Sequence, residues 1–195
     1  MKHNVIYLIA LCLLLVSCDE DEFLEEDVRD AIAAENLFVD YDGFFSGMNS
    51  VYANMRLIKG AGASMSRDQV WVVNTDVVSS RSDGVFNYSE LGVTYEEFEK
   101  VFEWCYEIIN TTNLIINRAE GDDIDWGGSS LEEASGNKNT IISEARVARS
   151  WAYRLLIYAF GPVPLSVEEV TGANFTNAWS RNSIEEIKAQ MQEDL

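Results

Sequence analysis

The sequence predicts an all-α fold, mainly helical with long irregular loops. Three observations predict it. Apolar residues recur at three- and four-residue steps through the long segments. Two pairs, Thr94 with Glu97 and Ser183 with Glu186, have the spacing of helix capping boxes. Glycines and a Gly161-Pro162 pair stand where the periodicity stops. With 195 residues, 47% of them hydrophobic and 11% aromatic, the chain has the makings of a single globular core.

The chain opens on a different kind of segment. Lys2 and His3 form a short polar start, and an apolar run follows from Val5 to Val16. About a dozen apolar residues cannot cross a hydrocarbon core that needs about 20 in a helix, but they match the apolar region of a secretory signal. Residues 1–17 therefore read as a signal peptide, and Leu15-Val16-Ser17-Cys18 resembles the bacterial lipobox. That resemblance implies acylation of the Cys18 thiol, cleavage after Ser17 and acylation of the new amine. The competing readings are an ordinary cleaved signal with an incidental cysteine, or a short buried helix. Residues 18–36 follow as an acidic tether, with eight acidic side chains among residues 19–30. Self-repulsion keeps such a stretch extended and solvated.

The helices then come in order. Phe44, Met48, Val51, Tyr52, Met55 and Ile58 trace one stripe from Asp40 onward, with Gly60 and Gly62 as stop signals. Residues 68–80, "DQVWVVNTDVVSS", are rich in β-branched residues and would suit a strand, but Val70, Val73 and Val77 favour a helix. The polar loop "SRSDGVFNYSELG" comes next. Thr94 and Glu97 start a helix whose face runs through Phe98, Phe102, Cys105, Ile109, Thr112 and Ile116 to Ala119. Residues 121–137 read as a loop. A second long helix starts near Lys138 and carries Ile141, Ile142, Ala145, Ala148, Ala152, Leu155 and Ala159 as far as Gly161-Pro162. Small Ala145, Ala148 and Ala152 let a neighbouring helix come close. The last helix opens at Ser183 and is still running at Leu195, its apolar face with nothing after it to pack against. This implies that the chain is the leading part of a longer one.

Charge and residue usage exclude several function classes. A net charge of −19 lacks the clustered cations that nucleic-acid phosphates need, so no nucleic acid is expected. The same charge repels anionic lipid, so membrane attachment must come from something other than a basic patch. The lone histidine is His3, which removes Ser-His-Asp and Cys-His catalysis from the body of the chain. Cys12, Cys18 and Cys105 have no metal-ligand spacing, and no cofactor is indicated. Asp123 and Asp125 suggest calcium, but the EF-hand pattern fails at Gly127 and Ala134. After cleavage Cys105 has no disulfide partner and reads as a small buried hydrophobe.

Several stretches together carry a family resemblance. They are the lipobox and acidic tether, "YDGFFSGMNSVYANM", "NTDVVSSRSDG", and "YEEFEKVFEWCYEIINTTNLIINRA". The most specific is Glu144-Ala145-Arg146-x-x-Arg149-x-x-x-Tyr153-x-x-Leu156, closing on Phe160-Gly161-Pro162-Val163-Pro164-Leu165. This combination closely resembles the N-terminal portion of the RagB/SusD family of nutrient-binding outer-membrane lipoproteins. The resemblance implies a SusD-like helical domain over residues 37–195, built on tetratricopeptide-type helix pairs. It also implies a lipid anchor on Cys18 at the outer membrane, facing the exterior, and no catalytic activity. The partners it implies are an oligosaccharide or peptide ligand and a SusC-like TonB-dependent transporter. Among the loop residues, Arg81, Asp83, Asn87 and Tyr88 place charged hydrogen-bonders beside aromatics, the mixture that sugar recognition needs. Trp126 is a second, exposed aromatic candidate. Arg146 and Arg149 with Glu144 read as an ion-pair face. Trp104, Trp151, Tyr106, Tyr153 and Tyr158 read as core or helix-partner contacts. The alternatives are a lipoprotein glycoside hydrolase, which needs two carboxylates about 5 Å apart, and a scaffold or fimbrial lipoprotein without a small ligand.

Overall fold

The computed structural model describes residues 34–59, 96–171 and 174–195. The signal peptide with Cys18, most of the acidic tether, the 68–80 segment and Thr94 lie outside the described residues. A single helical turn at Ala34–Leu37 precedes helix α1, Tyr41–Met55, which runs on into a 3-10 turn at Arg56–Lys59. Helix α2 spans Glu96–Arg118, α3 Leu131–Phe160 and α4 Ile184–Glu193. The described residues are mainly helical, and the pairing outside helices consists of isolated bridges, Asp40 with Asp125 and Val163 with Asn182. For these residues the all-α expectation holds. The expected domain boundary at residue 37 falls inside the opening helical turn.

Helix α1 starts where the periodicity predicts. Asp40 caps it, accepting from the Gly43 amide at 2.8 Å, and so satisfies one of the four unpaired N–H groups of a helix start. Gly43 is required by close approach: a Cβ there would stand 1.7 Å from the Leu37 carbonyl oxygen. Gly43→Ala must therefore push the preceding turn off the helix. The expected cost is about 1–3 kcal/mol, the range for overpacking, read as a lowered thermal midpoint by circular dichroism. An unchanged midpoint would mean that the turn gives way freely.

Helix α2 lies antiparallel to both of its neighbours. The Trp104 indole N–H donates to the Asn54 carbonyl at 2.9 Å, whereas farther along α2 Ile115 packs near Gly47. On the other side Phe102 meets Phe160 edge-on at 5.4 Å, and Asn113 reaches Arg149. Because α2 is sandwiched, its buried arc is wider than the predicted stripe and rotated from it. Val101, Trp104, Ile108 and Ile115 are fully buried beside Cys105, Ile109, Thr112 and Ala119, while Phe102 and Ile116 are only half-buried. Each fully buried large apolar side chain contributes about 1.5–3 kcal/mol. The Cys105 thiol, buried in this arc, is pushed up to about 12 by desolvation, so it stays a protonated hydrophobe at neutral pH.

Helix α3 starts seven residues before the predicted Lys138. Ser130 caps it through the Glu133 amide, and Glu133 accepts from both the amide and the hydroxyl of Ser129 at 2.7 and 2.8 Å. Those bonds hold the Glu133 carboxyl below the ordinary carboxylate range. The segment read as a loop through residue 137 thus contributes the first two turns of α3. Ala145, Ala148 and Ala152 are all buried, as their size predicts. Gly161, at φ 70°, ends the helix in a backbone conformation that other residues adopt only with strain. Tyr52 ties α1 to α3 by a hydrogen bond to Glu144, and its phenol is raised to about 12 by burial first and that carboxylate second.

Helix α4 carries the predicted capping box at Ser183 and Glu186. One expectation about it is corrected: it ends at Glu193, before Leu195. Of its apolar face, Ile187 is fully buried in the common core and Met191 half-buried against it, while Leu195 is 82% exposed.

Candidate functional site

The sequence-predicted ligand residues Arg81, Asp83, Asn87 and Tyr88 lie outside the described residues, as does the lipidation candidate Cys18. Trp126 is described, and it is half-buried instead of exposed. Its ring packs on Phe44 at a centroid distance of 4.7 Å, and Lys138 Nζ sits 5.9 Å from the centroid. The loop around it is drawn inward by backbone bonds, Tyr41 N to the Asp125 carbonyl at 2.8 Å and Asp125 N to the Val39 carbonyl at 3.0 Å. The Asp125 carboxylate is taken up locally by the Gly127 amide. Among the described residues no three acidic, histidine or cysteine side chains converge as metal ligands would.

The other aromatic expectations divide. Trp104 and Tyr153 are buried, and Trp104 meets Trp151 edge-on at 5.6 Å. Tyr158, in contrast, is 77% exposed, because its position on α3 points away from both α2 and α4. Arg149 does not join Glu144 and Arg146 in a surface ion-pair face. It faces inward with the buried alanines, whereas Arg146 is exposed.

A cleft of about 410 Å³ opens where α2 passes the chain that follows α3. Phe102, Tyr106 and Asn110, at four-residue steps on α2, form one wall, and Pro164, Ser166 and Val170 form the next. Phe175 and Trp179, which are 65% and 49% exposed, complete it. The walls are mainly apolar, half of the lining side chains are aromatic, and none is charged. The Phe102 and Tyr106 rings lie 4.7 Å apart. The Tyr106 hydroxyl donates to the Pro164 carbonyl at 2.5 Å and joins the two walls. Burial, then the neighbouring Tyr153 and Cys105, raise that phenol well above its ordinary value, so it remains a neutral donor at physiological pH.

A buried polar network fixes the wall from behind. Tyr153 Oη donates to the Ser166 carbonyl at 2.8 Å and accepts from the Ser166 amide at 2.6 Å. Its phenol is raised to about 12, chiefly by burial. Asn113 Nδ2 donates to the carbonyls of Ser166 and Glu168, both at 3.1 Å, and Asn113 Oδ1 accepts from Arg149 Nη1 at 2.9 Å. Arg149 then forks onto Asp194, with Nε donating to Oδ2 at 2.9 Å and Nη2 to Oδ1. The pair is almost fully desolvated, its side chains 5% and 2% exposed. Farther out, Arg118 grips Glu169 through two parallel bonds, and Asn174 Nδ2 donates to the Glu169 carbonyl at 2.8 Å. Asn182 closes the other end, its Oδ1 taking the Leu165 amide and its own amide bonding the Val163 carbonyl.

Phe175 and Trp179 escaped the sequence reading because their stretch has no helical or strand period to place them. The available signal was two large aromatics inside a loop rich in Asn, Thr and Ser. Such a cleft supplies flat apolar faces on which a ring can stack, beside an amide that can take hydrogen bonds. No family model, curated protein or solved structure matches the chain.

Proposed function

We propose that the chain is a non-catalytic, lipid-anchored outer-membrane binding protein of the RagB/SusD type. It captures oligosaccharides at the cell surface and passes them to a SusC-like TonB-dependent transporter. The observation that carries this reading is the open, uncharged cleft with Phe102, Tyr106, Phe175 and Trp179 in its walls. Sugars present apolar ring faces edged by hydroxyls, and stacking on exposed aromatics is how a protein holds them without charge. The lipobox and acidic tether support a surface location, and the Glu144–Leu165 motif supports the family. The antiparallel α2 and α3 are compatible with a tetratricopeptide-type pair.

The test uses cells carrying the anchored protein, with and without the transporter partner. Deleting the transporter is expected to abolish glycan uptake while surface binding persists. Trp179→Ala is expected to lower surface binding at least tenfold without changing the amount of anchored protein. Uptake that survives the deletion rules out the delivery role. Turnover of the bound glycan by the purified protein replaces capture with hydrolysis.

A further inference from the structure

The proposed glycan capture leaves open which sugars the cleft takes, and its lining narrows the class. Of the polar groups that line it, two are already committed. The Tyr106 hydroxyl is spent on the Pro164 carbonyl, and Ser166 is buried with its hydroxyl 3.5 Å from Asn113 Nδ2, behind the wall. Asn110 is different: it is exposed to the cleft, and its side-chain amide has no protein partner among the described residues. Its carboxamide offers one acceptor oxygen and two N–H donors to a ligand.

We infer that the cleft selects neutral acetamido sugars, with Asn110 as the specificity-determining residue. This inference rests on the reading of the chain as a glycan-capturing protein. The carbonyl of an acetamido substituent is a stronger acceptor for the Asn110 N–H than a sugar hydroxyl oxygen, while its own N–H points the opposite way and stays free for water. Its methyl group then lies against apolar wall such as Val170, Phe175 or Trp179, where a fully hydroxylated sugar would have to strip water from a hydroxyl without replacing its bonds. Anionic sugars are disfavoured. No lining cation compensates their desolvation, and the chain's net charge of −19 repels them. A volume of about 410 Å³ stands near the low end of the roughly 300–1,000 Å³ of small-molecule sites, which suits a short oligosaccharide.

The probes are a matched pair of neutral β-linked disaccharides, N,N′-diacetylchitobiose and cellobiose, with choline as a third. Each is titrated calorimetrically into the full lipidated chain in detergent micelles. The acetamido disaccharide is expected to bind at least tenfold tighter than cellobiose, a difference of about 1.4 kcal/mol. Asn110→Ala is expected to weaken the acetamido disaccharide at least tenfold, and cellobiose by less, so that the preference is erased. Asn110 is exposed and alanine favours the helix, so the fold survives the change, and a melting curve checks this. Trp179→Ala is expected to weaken both sugars. Equal or tighter cellobiose binding that depends on Trp179 overturns the inference and leaves glycan capture standing, as does a preference that persists in Asn110→Ala. Choline binding above both sugars overturns it in favour of an aromatic cage for a cation. Failure of both disaccharides to bind overturns this inference together with the glycan reading beneath it.

Discussion

Replacing Arg149 by methionine is expected to cost the fold about 3–5 kcal/mol, the range for stranding one partner of a buried ion pair. For a domain of this size that lowers the thermal midpoint by roughly 6–20 °C. The reason is the carboxylate left behind. Asp194 sits 2% exposed, and beyond Arg149 the side-chain donor facing it is Gln190 Nε2 at 3.2 Å. Methionine fills the space of the guanidinium stem but supplies no charge and no donor. Asn113 Oδ1 and the Val167 carbonyl lose a donor as well. The double variant Arg149→Met with Asp194→Leu is the decisive comparison. Removing both charges removes the stranded ion, so the pair is expected to recover most of the lost stability, as buried ion pairs replaced by apolar residues commonly do. Paired thermal melts of the two variants check this. A single variant that melts within 1 kcal/mol of the parent would show that water reaches Asp194.

The second large effect is expected at Cys18. Cys18→Ala should move the protein entirely from the membrane fraction to the soluble one, with surface glycan binding lost and the circular dichroism spectrum unchanged. The argument is a matter of magnitudes. Acyl chains bind at about 0.8 kcal/mol per buried methylene, and stable anchoring takes more than one chain. A net charge of −19 gives no attraction to anionic lipid, and among the described residues no helix is long and apolar enough to span a bilayer. Fractionation of cells expressing the variant reads the result directly. A variant that stays in the membrane pellet would mean that the apolar run at residues 5–16 is retained as the anchor instead of being cleaved.

Several helix ends were legible where a capping side chain or a glycine closes the backbone. Asp40, the Ser183–Glu186 box and Gly161 each mark a terminus by a local bond or a local conformation, which a short stretch of sequence can encode. The start of α3 was hidden although Ser130 and Glu133 have the same three-residue spacing. The two turns they open carry no apolar stripe, since residues 132–140 are polar or small, so periodicity began only at Ile141. The rotated face of α2 was hidden for another reason. A helix packed on two sides buries a wide arc, and sequence spacing alone marks only one line through it. The inward turn of Arg149 depends on Asp194, forty-five residues on, and no local pattern announces such a partner. The cleft is least legible of all, since its walls come from three separated stretches that meet only after α3 has turned back along α2.

That long-range ion pair also sets an order of events. While the chain is being made, Arg149 emerges well before the carboxylate that will neutralise it, and a loop of that length must close before the two can meet. Until then the guanidinium is best left in water, and α3 cannot be sealed against α4. The interior around Arg149 can therefore shut only once Asp194, beyond the end of α4, is in place. If the proposed signal peptide sends the chain across a membrane as an unfolded thread, a late closure of this kind is an advantage.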